Sequence, residues 1–204
     1  MKKQIIAGMA AAMVCVGAVG GTFAYLTSTD AVTNTFSVGK VKITLDEAKV
    51  DGTGKEITGD GAERVKANSY HLIPGGEYDK DPTVHVDVKS EESYIFVKVS
   101  NGIETVANVS TQIVANGWNA LGDSYSGVYY IEYDPEEAED EDGDGYVDYV
   151  VFEKISIAGG VTGEELEGLG SAELTVNAYA IQKAGFTSTE NAYSEFTKTV
   201  DASE

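Results

Sequence analysis

Nine carboxylates and no lysine or arginine lie between Asp134 and Asp148, and their spacing suits a hard cation. Asp140, Asp142, Asp144, Gly145 and Asp148 stand at positions one, three, five, six and nine of a calcium loop. Tyr146 offers its carbonyl at position seven, and Val147 is the apolar eighth. The twelfth position, where a bidentate carboxylate belongs, is Val151, and Glu153 comes two residues late. The flanks read as strands, Tyr129 to Tyr133 and Tyr149 to Ile157, rather than as the two helices of an EF-hand. The stretch is expected to be either a hairpin-tip loop that binds calcium weakly through Asp140, Asp142, Asp144, Tyr146 and Asp148, or a solvated acidic loop without an ion. No other cofactor is expected.

Softer metals have only His71 and His85 to bind. Zinc hydrolysis needs a cluster such as His-Glu-x-x-His on one helix face, and the chain has none. His85 is expected on the polar face of a strand beside the turn Pro74 to Asp81, with His71 just before that turn, both as satisfied surface histidines. There is no Gly-x-Ser-x-Gly elbow, and no glycine loop leads from a strand into a helix. Acid pairs carry no information in so acidic a chain. These residues predict a protein that is not an enzyme.

The start of the chain is a leader in three parts. Lys2 and Lys3 form a basic beginning, an uncharged run continues to Ala24, and Gly20, Gly21, Thr22 and Ala24 are the small residues before a cut expected between Ala24 and Tyr25. A retained membrane helix is the competing reading, but the run is rich in Gly and Ala and lacks a basic stop-transfer flank. Cleavage leaves residues 25–204, enough for one domain with a core. It removes Cys15, the only cysteine, so the mature chain has no disulfide. It also removes two lysines, so a formal charge of −20 falls by two more. That charge excludes nucleic acid and anionic lipid as partners and favours cations.

Period-two alternation dominates the mature chain. In VKITLD, Val41, Ile43 and Leu45 face one way and Lys42, Thr44 and Asp46 the other. Val84, Val86 and Val88 alternate with Thr83, His85 and Asp87, and Ile95, Val97 and Val99 with Tyr94, Phe96 and Lys98. Further strands are expected at Tyr129 to Tyr133, Val150 to Ile157 and Leu174 to Ile181. Half-buried antiparallel strands of this kind stack as two sheets, so the fold class is all-β, an antiparallel β-sandwich. Short helices are predicted over Ile103 to Ala115 and Ser188 to Val200, the second capped by Ser188 or Thr189. Asp51 to Lys66 reads as a mobile hairpin or loop, Pro74 to Gly76 as a turn, and Trp118 as a core or groove-lining aromatic.

Five segments carry a resemblance: GTFAYLTSTDAVTNTFSVGKVKI from Gly21, LIPGGEYDKDPTVHV from Leu72, YIFVKVSNG from Tyr94, ANGW from Ala115 and AYAIQKAGF from Ala178. Together they resemble the TasA/camelysin family. The resemblance implies export from a Gram-positive bacterium through a SipW-type signal peptidase, a jelly-roll-like sandwich with one or two short helices, and assembly into biofilm-matrix or cell-surface fibres. Camelysin carries a metalloprotease label within this family. The resemblance also implies that residues 25–36 are a donor strand for the neighbouring subunit, ahead of one sandwich domain over residues 37–204.

The residues suit that role. A donated strand must be free in the monomer, extended, and equipped with apolar anchors, here Tyr25, Leu26, Val32 and Phe36. The polar residues between them tolerate β structure, and no proline interrupts them. Head-to-tail pairing propagates as a filament instead of closing as a dimer. Otherwise Tyr25 to Phe36 is the first strand of its own sandwich or an ordinary frayed terminus. The expected partner is a second copy of the chain, with related minor subunits or matrix polysaccharide beside it and no stable membrane span after cleavage. The alternative is a monomeric cell-surface adhesin or a glycan-binding module, since Tyr129, Tyr130, Tyr133, Tyr146 and Tyr149 crowd one predicted hairpin.

Overall fold

A computed structural model describes residues 40–201. The leader, its cut and the donor segment with its four anchors lie outside the described residues.

The alternating segments form two four-stranded antiparallel sheets among the described residues. Sheet one runs β2 (Arg64–Val65), β1 (Ile43–Ala48), β4 (Thr83–Asp87), β8 (Tyr146–Val150). Sheet two runs β10 (Leu174–Gln182), β5 (Ser93–Asn101), β7 (Val128–Tyr133), β6 (Asn119–Ala120). A small ribbon pairs β3 (Glu77–Asp79) with β9 (Lys154–Ser156). The inner faces of the two sheets meet: Val84, Val86 and Val147 from sheet one join Ile95, Val97 and Tyr133 from sheet two in one core cluster. This is the expected sandwich, with chain crossings between the sheets after β4, after β7 and, by way of β9, after β8.

Three helices accompany the sheets among the described residues, one more than the sequence suggested: α1 (Ser110–Ala115), α2 (Gly163–Gly168) and α3 (Thr189–Asp201). α1 is shorter than its apolar spacing predicted. Ile103 and Val106 are buried, but turns hold them, because Asn101 accepts from Ile103 N and donates to Ala107 O. α2 starts at a capping box of Thr162 and Glu165, too short a segment to show a period. α3 is capped by Ser188, whose Oγ accepts from Asn191 N at 3.2 Å.

The outer face of sheet two is covered by α3. Ala192 and Tyr193 pack on Tyr94 and Phe96, with the Phe96 and Tyr193 rings 5.1 Å apart. Tyr179 and Phe196 stack at 4.8 Å. β5 is therefore buried on both faces from Ser93 to Val97.

Two sequence expectations are corrected. The strand read over Val150 to Ile157 is two strands in different sheets. Val151 and Phe152, adjacent in the chain, are both fully buried, which no strand with one wet face allows, so the chain bends there. Trp118 Nε1 donates to Val150 O at 2.9 Å, and the Gln112 amide takes Glu153 N and Lys154 N and donates to Lys154 O, replacing ladder bonds through the bend. The second correction concerns the hairpin around the acidic stretch. β7 belongs to sheet two and β8 to sheet one, so residues 134–145 are a crossover between sheets and not a hairpin tip. Tyr129, Tyr130 and Tyr133 thus belong to sheet two and Tyr146 and Tyr149 to sheet one, and Tyr129, Tyr133 and Tyr149 share the core between the sheets.

Asp51 to Lys66 is tied down. Val50 bridges Glu56, Lys49 N donates to Glu63 O, and Asp79 N donates to Gly54 O. Gly54 has φ 79° and lies under Tyr78, where any Cβ would come within 2.4 Å of the ring.

Candidate functional site

An open groove separates the two sheets along one side. β2 pairs only with Glu47 and Ala48, so Ile43 to Asp46 of β1 have a sheet partner on the β4 side alone. β10 ends sheet two. Between these two half-paired strands lies a cavity of about 660 Å³. Leu45 of β1 and Leu174 and Val176 of β10 supply apolar wall, with Leu72, Ile103 and Ile155 beneath, while Lys66 to Tyr70 close the far side. Unpaired strand edges flanking an apolar trough are what an added extended strand requires.

A buried polar trio sits in the groove wall. Glu47, with 5% of its side chain exposed, receives a short hydrogen bond from Lys80, 11% exposed, on Oε2. Its other oxygen, Oε1, accepts from Asn68 Nδ2 at 3.0 Å. Asn68 also donates to Ala48 O at 2.8 Å and accepts from Val50 N at 3.0 Å, so its amide is held at three points. The Lys80 Nζ lies 5.7 Å from the centre of the Tyr70 ring. No sequence signal points to this trio: its members come from three separate segments and match no motif.

On the outer face of sheet one His85 bridges three strands. Its Nδ1 is 2.6 Å from Asp148 Oδ1 on β8, and its Nε2 is 2.9 Å from Asp46 Oδ1 on β1. Arg64 binds Asp46 and reaches Asp81 at 2.9 Å. Burial pushes the imidazole pKa down, but the hydrogen bonds it donates to Asp46 and Asp148 outweigh that and hold it above the ordinary value. For Asp46, burial acts upward and is outweighed by the bonds from Arg64 and His85, leaving its carboxyl below the usual range.

The acidic crossover brings some of its predicted ligands together. Asp140, Asp142 and Asp144 each present an oxygen, and these atoms lie within 4.8 Å of one another. Asp140 accepts from Gly143 N at 2.8 Å and Gly145 N at 3.0 Å, which fixes the loop, and both glycines have positive φ. Asp142 accepts from Asp144 N and Asp144 from Tyr146 N. Asp148 does not join them, because it is spent on His85. Tyr146 opens β8, and its hydroxyl accepts from Lys42 Nζ at 3.1 Å.

Comparison with known proteins adds one finding. Residues 1–64 match the family model described as camelysin metallo-endopeptidase. The match bears out the camelysin resemblance, over the part of the chain that it covers. No curated protein and no solved structure matches the chain.

The metal implied by that description does not fit the residues present. Both nitrogens of His85 face carboxylates on opposite sides of the ring, and His71 is an exposed loop residue. The one close group of potential ligands among the described residues is three aspartates, an all-oxygen set suited to a hard cation and not to zinc. Among the described residues no helix is long and apolar enough to cross a membrane.

Proposed function

We propose that this chain is a secreted, non-enzymatic structural subunit of extracellular fibres. After cleavage between Ala24 and Tyr25, residues 25–36 of one copy add as a strand to the groove of the next. The observation that carries this reading is the groove itself, open on the unpaired edges of both β1 and β10. β10 has nine residues, which at roughly 3.3 Å each run about 30 Å. The twelve residues from Tyr25 to Phe36 are long enough to pair along all of it. Leu26, Val32 and Phe36 then meet Leu72, Ile103, Leu174 and Val176.

Export to the matrix or cell surface of a Gram-positive bacterium belongs to the same reading and is supported by the leader and by the match over residues 1–64. Calcium in the loop of Asp140, Asp142 and Asp144 would lower the repulsion between copies of so acidic a chain.

Electron microscopy of residues 25–204 and 37–204, with and without calcium, tests the proposal. Filaments from the longer form alone support it. Two forms that both stay monomeric overturn it in favour of a monomeric adhesin.

A further inference from the structure

We infer that Lys80 and Asn68 join through an intramolecular amide bond, formed by the protein itself with Glu47 as the catalytic residue. The inference does not rest on polymerisation, since all three side chains belong to one copy.

The three requirements of the reaction are met by neighbouring groups. A lysine acts as a nucleophile when its proton can leave and water is excluded. Lys80 is 11% exposed, has Tyr70 beside it, and touches Glu47, a carboxylate 5% exposed. Glu47 Oε2, in contact with Nζ, is the acceptor to which the lysine's proton passes in the proposed step. The electrophile is the Asn68 amide, bonded to the other oxygen of the same carboxylate at 3.0 Å. Nucleophile and electrophile thus both contact one carboxylate, Lys80 Nζ on Oε2 and Asn68 Nδ2 on Oε1. Charge developing on Asn68 Oδ1 is met by Val50 N, already donating to that atom at 3.0 Å.

The step balances without any outside reagent. Lys80 Nζ attacks Asn68 Cγ, and the carbonyl pair moves onto Oδ1. As the intermediate collapses, the Cγ–Nδ2 bond breaks. Glu47 passes the protons from Nζ to Nδ2 and ends as the carboxylate it began as. A lysine ammonium and an asparagine amide become one secondary amide and ammonium, which leaves through the open groove. The product ties the segment after β2 to the residue that follows β3, in a chain whose only cysteine is Cys15.

Denaturing tryptic digestion and mass spectrometry of the purified protein test this directly. Between Lys66 and Lys89 trypsin has one site, Lys80. The bond blocks that site, so the expected product is a single peptide from Ala67 to Lys89, lighter by one ammonia, with fragments placing the link between Lys80 and Asn68. Separate peptides of ordinary mass, Ala67 to Lys80 and Asp81 to Lys89, overturn the inference and leave the trio a plain buried ion pair. So does loss of ammonia with the Lys80 site still cut, which is a succinimide at Asn68, and so does loss of water, which is an amide between Lys80 and Glu47. The Glu47→Gln protein should yield the two separate peptides, and a link that persists in it overturns the role given to Glu47.

Discussion

His85 and Asp148 sit opposite one another in the β4–β8 register, with Nδ1 2.6 Å from Oδ1. This contact makes Asp148 part of the sheet. A residue that sequence spacing assigns to a cation loop instead ties β8, the strand on which that loop ends, to β4, and Asp46 completes the bridge from the other side of the ring.

The bridge makes stability depend on pH, with opposite signs at its two ends. The His85 pKa is raised on folding, so its contribution is complete below the unfolded value of about 6.5 and is lost as pH rises through the folded value. The Asp46 pKa is lowered, so its contribution is present above about 3.9 and is lost as pH falls through the folded value. Between these limits both act. Urea unfolding of the wild type and His85→Gln at pH 5 and pH 8 should show a larger gap between the two proteins at pH 5. An equal gap at both pH values would refute the bridge as the cause.

Calcium binding and the His85 bridge can be separated by mutation. In calorimetric titration, Asp142→Ala should abolish calcium binding with little change in melting temperature. Asp148→Ala should lower the melting temperature and leave calcium binding largely intact. Absence of heat in the wild type at millimolar calcium rules out a site of even extracellular affinity, and equal loss of binding in both variants would return Asp148 to the ligand set.

Trp118 reports on the bend that separates β8 from β9. It is 1% exposed and donates to Val150 O. Trp118→Ala should cost about 3–5 kcal/mol of stability, as large core truncations do. Trp118→Phe, which keeps most of the volume but leaves Val150 O without its donor, should cost about 1–3 kcal/mol. Denaturant unfolding followed by circular dichroism measures both, and a smaller loss for Ala than for Phe contradicts the packing described.

Strand donation predicts competition. A synthetic peptide of residues 25–36, in excess, should fill the groove and stop filament growth, while the same peptide with Leu26, Val32 and Phe36 changed to Asp should not. Light scattering during assembly distinguishes them, and equal inhibition by the two peptides counts against an apolar groove as the acceptor. Repulsion between acidic copies should make growth slowest in low-salt neutral buffer with chelator, and growth fastest there removes electrostatics as the brake.

Period-two alternation in VKITLD, TVHVD and YIFVKV was enough to place a β-sandwich, because side chains on a strand must alternate between core and water. The apolar face of Tyr193 and Phe196 likewise announced α3. Local pattern decides these features. Which sheet a strand enters is decided by long-range packing, so nothing in the acidic stretch distinguishes a hairpin tip from the crossover that it is. The same holds where two apolar residues run together: Val151 and Phe152 look like more strand until Trp118 takes the carbonyl of Val150 before them and Gln112 the amides of Glu153 and Lys154 after them. The groove exists only because β2 is too short to cover β1 and, among the described residues, no strand pairs with the outer edge of β10. Glu47, Asn68 and Lys80 carry no shared motif, and only tertiary folding closes the distance between them, since hydrogen bonding acts over ångströms in space and is blind to separation along the chain.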